Sequence, residues 1–274
     1  MLALLYPYCR ANGILLAGLE KMMNYNWNWS IFFEQAPGGV TYLHTLLSGL
    51  GWTIGTAALA WILALTMGTM VGVVRTGPLK WARAVATAYV ELFRNIPLLV
   101  QMFLWYFVIP EFLPGTMGDA MKQIPPPWGN FIPAVLCLGF YTSSRVAEQV
   151  RAGIESLPQG QPMAATALGM KPWQVYRYVL LPTAFRIILP PMTSELLNLI
   201  KNTSVAFTIG LFELVGAARS MQEFSFQVFE TFAMATLFYL LLNLVVVRGM
   251  YLLERRLAVP GFFGSASVAK EIAP

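Results

Sequence analysis

Long apolar stretches alternate with short polar ones along most of the chain. Leu46 to Val74 holds no charged residue, and a run of about 20 apolar residues is enough for one helix to cross a bilayer. Trp81 to Ile109 is a second stretch, interrupted by Glu91 and Arg94. Phe131 to Val150 is a third, containing Arg145 and Glu148. Val179 to about Gly216 is a fourth, broken by Pro182, Pro190, Pro191, Glu195 and Lys201. Val228 to Leu253 is a fifth. The pattern predicts an all-α membrane protein with five transmembrane helices. In the first span Gly51/Gly55 and Gly68/Gly72 stand in small-xxx-small spacing, which predicts close helix packing inside this chain.

The polar stretches sort by sign. Arg75, Lys80 and Arg83 lie between spans one and two, and Arg151, Lys171 and Arg177 between three and four. Arg248, Arg255 and Arg256 mark the end of the fifth, and all three ends read as cytoplasmic by the positive-inside rule. The opposite loops carry Glu111, Asp119 and Lys122, then Glu213, Arg219, Glu223 and Glu230. Five spans then put the N-terminus outside and the C-terminus inside. Trp27, Trp29, Phe32 and Phe33 are expected at the outer interface, where amphipathic rings settle, and Pro125-Pro126-Pro127-Trp128 as a rigid outer loop. Residues 1–23 read as an N-terminal extension. They are apolar but interrupted by Arg10 and Asn12, lack the basic start and cleavage site of a signal peptide, and end on Met22-Met23, an alternative start. Residues 24–45 then form an outer or interfacial segment, 46–253 the transmembrane domain and 254–274 a cytoplasmic tail.

Composition narrows the chemistry. Apolar residues make up 57% of the 274 and charged ones 11%, the balance of an integral membrane protein rather than a soluble enzyme. Cys9 and Cys137 are far apart, and Cys137 sits in an apolar run, so no disulfide is expected. A single histidine, His44, leaves no His-rich metal site and reads as an interfacial residue. The net charge of +5 follows from charge sorting across the membrane and calls for no nucleic acid. No Gly-x4-Gly-Lys-Ser/Thr phosphate loop is present, no residues are read as catalytic, and no cofactor is expected in this chain. Energy for any transport must come from another chain.

The most ordered polar stretch is the loop from Pro158 to Trp173. Pro162 suits the first position of a helix, Met163 to Leu168 are good helix formers apart from Thr166, and Gly169 suits the position just past its end. The expectation is a short helix outside the bilayer, available to another protein. Ala164, Ala165, Gly169, Val179, Leu181 and Pro182 resemble the Ala-Ala-x3-Gly-x9-Ile-x-Leu-Pro signature of permease subunits in ATP-binding-cassette importers, with Val179 in the Ile slot. Where that family usually has Glu before the alanines, this chain has Met163. The resemblance implies that Met163, Ala164, Ala165, Leu168, Gly169, Leu181 and Pro182 couple the permease to a cytoplasmic ATPase.

A charge at the centre of a spanning helix costs roughly 2.5–3.5 kcal/mol on insertion scales, so such residues face cavities or pair. Glu91/Arg94 and Arg145/Glu148 are each three apart on one helix face, which suits pairing between neighbours as well as function. Lys201-Asn202-Thr203-Ser204 is a polar break of the kind that lines substrate cavities. Residues 91–101, 145–154 and 201–204, with the loop signature, resemble the polar amino-acid uptake permeases from about Asn24 onward. Trp27-Asn28-Trp29 and Arg145-Val146-Ala147-Glu148 resemble more narrowly a glutamate/aspartate permease. Many relatives have an aromatic residue in the Arg145 slot, and a guanidinium there suits a substrate with an extra carboxylate. On this reading Glu91, Arg94, Gln101, Arg145, Glu148, Asn198, Lys201, Asn202, Thr203 and Ser204 lie on the substrate pathway. The resemblance implies a complex in the bacterial inner membrane, with a second permease subunit, two ATP-binding subunits, a periplasmic solute-binding protein and an amino-acid substrate. A permease for a neutral or basic amino acid, and a secondary transporter working alone, are the rival readings.

Overall fold

The computed structural model describes residues 25–257, so the expected N-terminal extension and most of the tail lie outside the described residues. Regular structure among the described residues is helical throughout, apart from one isolated bridge between Gln35 and Thr41. Helix α1 (Tyr42–Thr76) opens on Thr41, whose hydroxyl accepts the His44 N–H at 3.3 Å, and runs unbroken for 35 residues. At a rise of about 1.5 Å per residue it exceeds the hydrocarbon thickness. It lies along α5 (Trp128–Glu155), which carries more buried residues than any other helix. The seam is the small-residue stripe. A β-carbon built on Gly68 would fall 2.6 Å from Val146 Cβ, and one on Gly72 would fall 2.8 Å from both the Ala147 carbonyl and Val150 Cβ. Gly51 faces open space. Gly72→Leu is therefore expected to push α1 off α5, costing about 1–3 kcal/mol as overpacked cores do. A lowered unfolding midpoint of the detergent-purified subunit is the check; an unchanged midpoint would show that the seam yields.

The second apolar stretch is not one span. Helices α2 (Lys80–Asn95) and α3 (Leu98–Phe112) meet at 104° across Ile96-Pro97. Proline bars Ile96 from helical geometry, and Ile96 is extended at φ −90° and ψ 130°. The carbonyls orphaned by the break are Phe93 and Ile96, and both accept from the Gln101 side-chain amide at 2.8 Å. Gln101, expected on the substrate pathway, is instead buried as the staple of this bend.

After α4 (Gly115–Lys122) and α5, the loop helix α6 (Gly160–Ala167) leads into α7 (Pro172–Ile209). The fourth stretch therefore begins seven residues before Val179 and ends at Ile209, where Gly210 takes a left-handed φ of 85°. Helix α8 (Leu214–Ser225) follows at 51°, then α9 (Val228–Leu257). Two π-turns widen these helices, at Leu104–Val108 and Tyr176–Leu180, each standing just before a proline, Pro110 and Pro182. Proline lacks the N–H for the carbonyl four residues back and crowds it, and the wider turn relieves both. Helices α1 and α9 are long and apolar enough to cross a membrane alone; α2 with α3 and α7 with α8 reach that mark as bent pairs.

Candidate functional site

The loop helix is fixed from both ends. At its C-terminus Gly169 has φ 80°, its N–H reaches the Thr166 carbonyl at 2.9 Å, and the Met170 N–H reaches Ala165 at 3.2 Å. This pair of bonds is the Schellman arrangement, for which glycine is the favoured residue. Pro162 stands at the third helical position rather than the first, where a missing N–H is equally harmless. Ala165 is 5% exposed and packs with Ile154, Val175, Leu180 and Ile188, which ties α6 to α5 and α7. Met163 (65% exposed), Leu168 (81%) and Trp173 stand out on the surface nearby. Two small residues, Ala164 and Ala167, are exposed on the helix with them. The loop thus presents a small, capped, partly apolar knob on a rigid mount. Leu181 and Pro182 lie behind it, closing the π-turn and starting the regular part of α7.

The charges at depth pair differently from their spacing. Arg145 does not bond Glu148. Its Nη2 donates to the Tyr141 hydroxyl at 2.8 Å, its guanidinium lies 5.1 Å from that ring centre, and its Nη1 stands 3.9 Å from Glu195 Oε2. The Arg145 side chain is 41% exposed and that of Glu195 12%, and Glu195 Oε2 accepts no hydrogen bond among the described residues. Glu148 instead binds Arg75 from the end of α1 and Arg151 from its own helix, with Arg94 of α2 at 3.8 Å. Arg151 also holds Glu155 at 2.5 Å. Glu91 does not pair with Arg94; its carboxylate accepts from Asn95 at 3.0 Å.

The polar break after α7 divides. Thr203 is fully buried and donates to the Ile200 carbonyl at 2.7 Å, so it closes the helix rather than lining a path. Ser204 likewise donates to Lys201 O at 2.7 Å. Lys201 is exposed and forms no ion pair among the described residues, and Asn198 and Asn202 are half-buried. Glu195, Asn198 and Asn202 recur at helical spacing, so one α7 face carries a carboxylate and two amides beside Arg145.

Three residues read as loop charges prove to be interior partners. Arg75 belongs to the last turn of α1, with only 10% of its side chain exposed. Gly68, Gly72 and Arg75 share one helical stripe, and extending that stripe by a turn would have shown that Arg75 faces α5. Glu213 is fully buried. It caps α8 through the Gly216 N–H at 3.0 Å and accepts the Tyr239 hydroxyl at 3.0 Å and the Thr53 hydroxyl at 3.4 Å. Glu230, also fully buried, accepts the Tyr25 hydroxyl at 2.5 Å and the Asn28 N–H at 2.8 Å. The outer aromatic segment is pinned to α9 in this way, with Trp27 and Trp29 stacked and exposed while Phe32 turns into the core.

A helical membrane subunit with no phosphate loop of its own, a mounted surface helix and charged side chains gathered between its helices is built as a transport component. Residues 64–259 match the family of binding-protein-dependent transport system inner membrane components. The chain belongs to that family of multi-pass inner-membrane permeases, transport subunits whose ATPase is a separate chain. It is similar to the glutamate/aspartate import permease GltJ of Escherichia coli K12, 47% identical over 244 residues, 88% of this chain and 99% of that one. GltK, a second glutamate/aspartate import permease, from E. coli O157:H7, is 30% identical over 85% of this chain and all of its own. The crystal structure of an amino acid ABC transporter with histidines covers 78% of this chain and 95% of its own, with a TM-score of 0.66 and 32% identity.

Proposed function

We propose that this chain is the permease subunit that carries an acidic amino acid, glutamate or aspartate, inward through an ATP-driven importer. The observation that carries the reading is the 47% identity over nearly the full length of a permease named for those two substrates. Arg145 supports it, because its guanidinium is 41% exposed and its ion pair with Glu195 is long at 3.9 Å, so a substrate carboxylate can compete for it. The chain crosses the membrane five times, counting each bent pair as one span and α5 as one, with its N-terminus outside and its C-terminus in the cytoplasm. It pairs with a second permease subunit. Two ATP-binding subunits seat on the two loop helices, and a periplasmic solute-binding protein delivers the substrate. Closure of the ATPases moves α6 and switches the cavity between inward and outward access.

Uptake of labelled amino acids by vesicles holding the complete complex tests this. Glutamate and aspartate are expected to enter and to compete with each other, while glutamine, arginine and histidine do not. Uptake of a neutral or basic amino acid in their place would overturn the assignment, and uptake without ATP would favour an ion-driven carrier. The loop carries its own prediction. At φ 80° a β-carbon is strained, so Gly169→Asp loosens the cap by about 1–2 kcal/mol and sets a bulky charge beside Leu168. Normal membrane insertion with loss of ATPase co-purification and of uptake is expected; normal uptake would mean that α6 does not contact the ATPase.

A further inference from the structure

We propose that Tyr176 is the positioning residue through which displacement of the loop helix reaches the charged cluster around Glu148 and Arg145. The proposal rests on the reading of α6 as the ATPase-contacting helix and goes beyond it. Tyr176 opens the π-turn that begins seven residues after Gly169. Its hydroxyl donates to the Thr76 backbone carbonyl at 3.0 Å and lies 3.1 Å from the Thr76 hydroxyl, 100 residues away in sequence. Thr76 is the last residue of α1, and the residue before it, Arg75, forms the ion pair with Glu148. One turn earlier on the same helix as Glu148 stands Arg145. The phenol therefore links the segment directly behind the loop helix to the end of α1, and Arg75 links that end to α5.

Two further features suit this part. The loop helix and the π-turn share one apolar cluster, through Ala165, Val175 and Leu180, so a displacement of one bears on the other. An open apolar hollow of about 220 Å³ is lined by Tyr176 together with Val73, Pro78, Leu79 and Ala82, so the segment is not packed solid on that side. A π-turn at this point is itself the kind of local widening found at functional sites. The hydroxyl, rather than the ring, is the transmitting group.

Y176F in the complete complex is the test, because it removes only the hydroxyl and keeps the ring in its cluster. Wild-type and variant complexes are reconstituted with the binding protein, and ATP hydrolysis and labelled glutamate uptake are measured on the same vesicles. The expected result is normal co-purification of the ATPase, hydrolysis close to wild type, and glutamate moved per ATP lowered about fivefold, the low end of site-to-site coupling. T76V, which keeps the backbone carbonyl, is expected to show a smaller fall in the same ratio. An unchanged ratio in Y176F overturns the proposal. Hydrolysis and uptake falling in proportion, or loss of the ATPase on purification, also overturn it, since the tyrosine would then only hold the loop in place. Gly169→Asp run beside it separates the two ideas: if that variant binds the ATPase and transports normally, the reading of α6 fails, whatever Y176F does.

Discussion

Arg145→Ala lowers glutamate and aspartate uptake about 10- to 150-fold, the loss of a charge-assisted contact of about 1.5–3 kcal/mol, and leaves the subunit folded. The folding half of this expectation comes from the local geometry. The Arg145 side chain is 41% exposed and its approach to Glu195 is 3.9 Å, so its removal breaks one hydrogen bond to Tyr141 and a long ion pair. The transport half comes from chemistry: the other arginine of α5, Arg151, is engaged by Glu148 and Glu155, which leaves Arg145 as the guanidinium on that helix to meet a carboxylate. Replacement by phenylalanine shifts preference towards amino acids with a single carboxylate. Lys201→Met, at an exposed residue with no ion-pair partner among those described, has a smaller effect on the same substrates. Labelled uptake across an amino-acid panel, with the unfolding midpoint of each variant, decides the matter. If Arg145→Ala lowers the midpoint sharply and its residual uptake keeps the original selectivity, Arg145 is a structural ion-pair residue and the acidic-substrate reading loses its physical support.

Glu148→Ala has the opposite profile, a large loss of stability. Among the described residues Glu148 is the carboxylate shared by Arg75, Arg94 and Arg151, and Arg75, with 10% of its side chain exposed, has no partner there for Nε. Removing one partner of a fully buried pair costs about 3–5 kcal/mol, and the low end applies here because Glu148 is itself a quarter exposed. At roughly 2–4 °C per kcal/mol for a chain of this size, the unfolding midpoint in detergent falls by about 10 °C. The paired change Arg75→Met with Glu148→Leu recovers most of that, because two well-packed apolar residues replace a buried pair at little cost. A double variant as unstable as Glu148→Ala alone would show that the stability resides in Arg94 and Arg151 instead.

The sequence shows clearly whatever rests on period and punctuation. The uncharged run around Gly68 and Gly72, the short loop helix with Gly169 just past its end and the apolar setting of Cys137 all follow from residue types along the chain. What it hides is partnership across the fold. Three-residue spacing brings Arg145 and Glu148 to one face, yet each finds a stronger partner on another helix, Glu195 and Arg75. Gln101 reads as a polar residue at depth, and only the 104° bend reveals the two orphaned carbonyls it serves. Pro97 was the available signal, since a proline so placed frees backbone groups that something nearby must satisfy. Thr203 and Ser204 look like a ligand-ready pair, but their hydroxyls return to the turn before, as such residues do in helices. Glu213 and Glu230 are indistinguishable by composition from solvated loop acids, and nothing local announces that Tyr239 and Tyr25 will reach them.

The Glu230 latch joins the first and last described segments of the chain. Tyr25 and Asn28 leave the ribosome first among the described residues, and Glu230, about 200 positions later, arrives only with the last helix. Until then the Tyr25 hydroxyl and the Asn28 N–H lack this acceptor, and Trp27 has no Phe229 to lean on. Contacts so distant in sequence form late, because the whole intervening loop must be ordered first. The outer aromatic segment is thus a closing clasp. The clasp brackets the described helices, and a chain without α9 has no Glu230 for Tyr25 and Asn28 to meet.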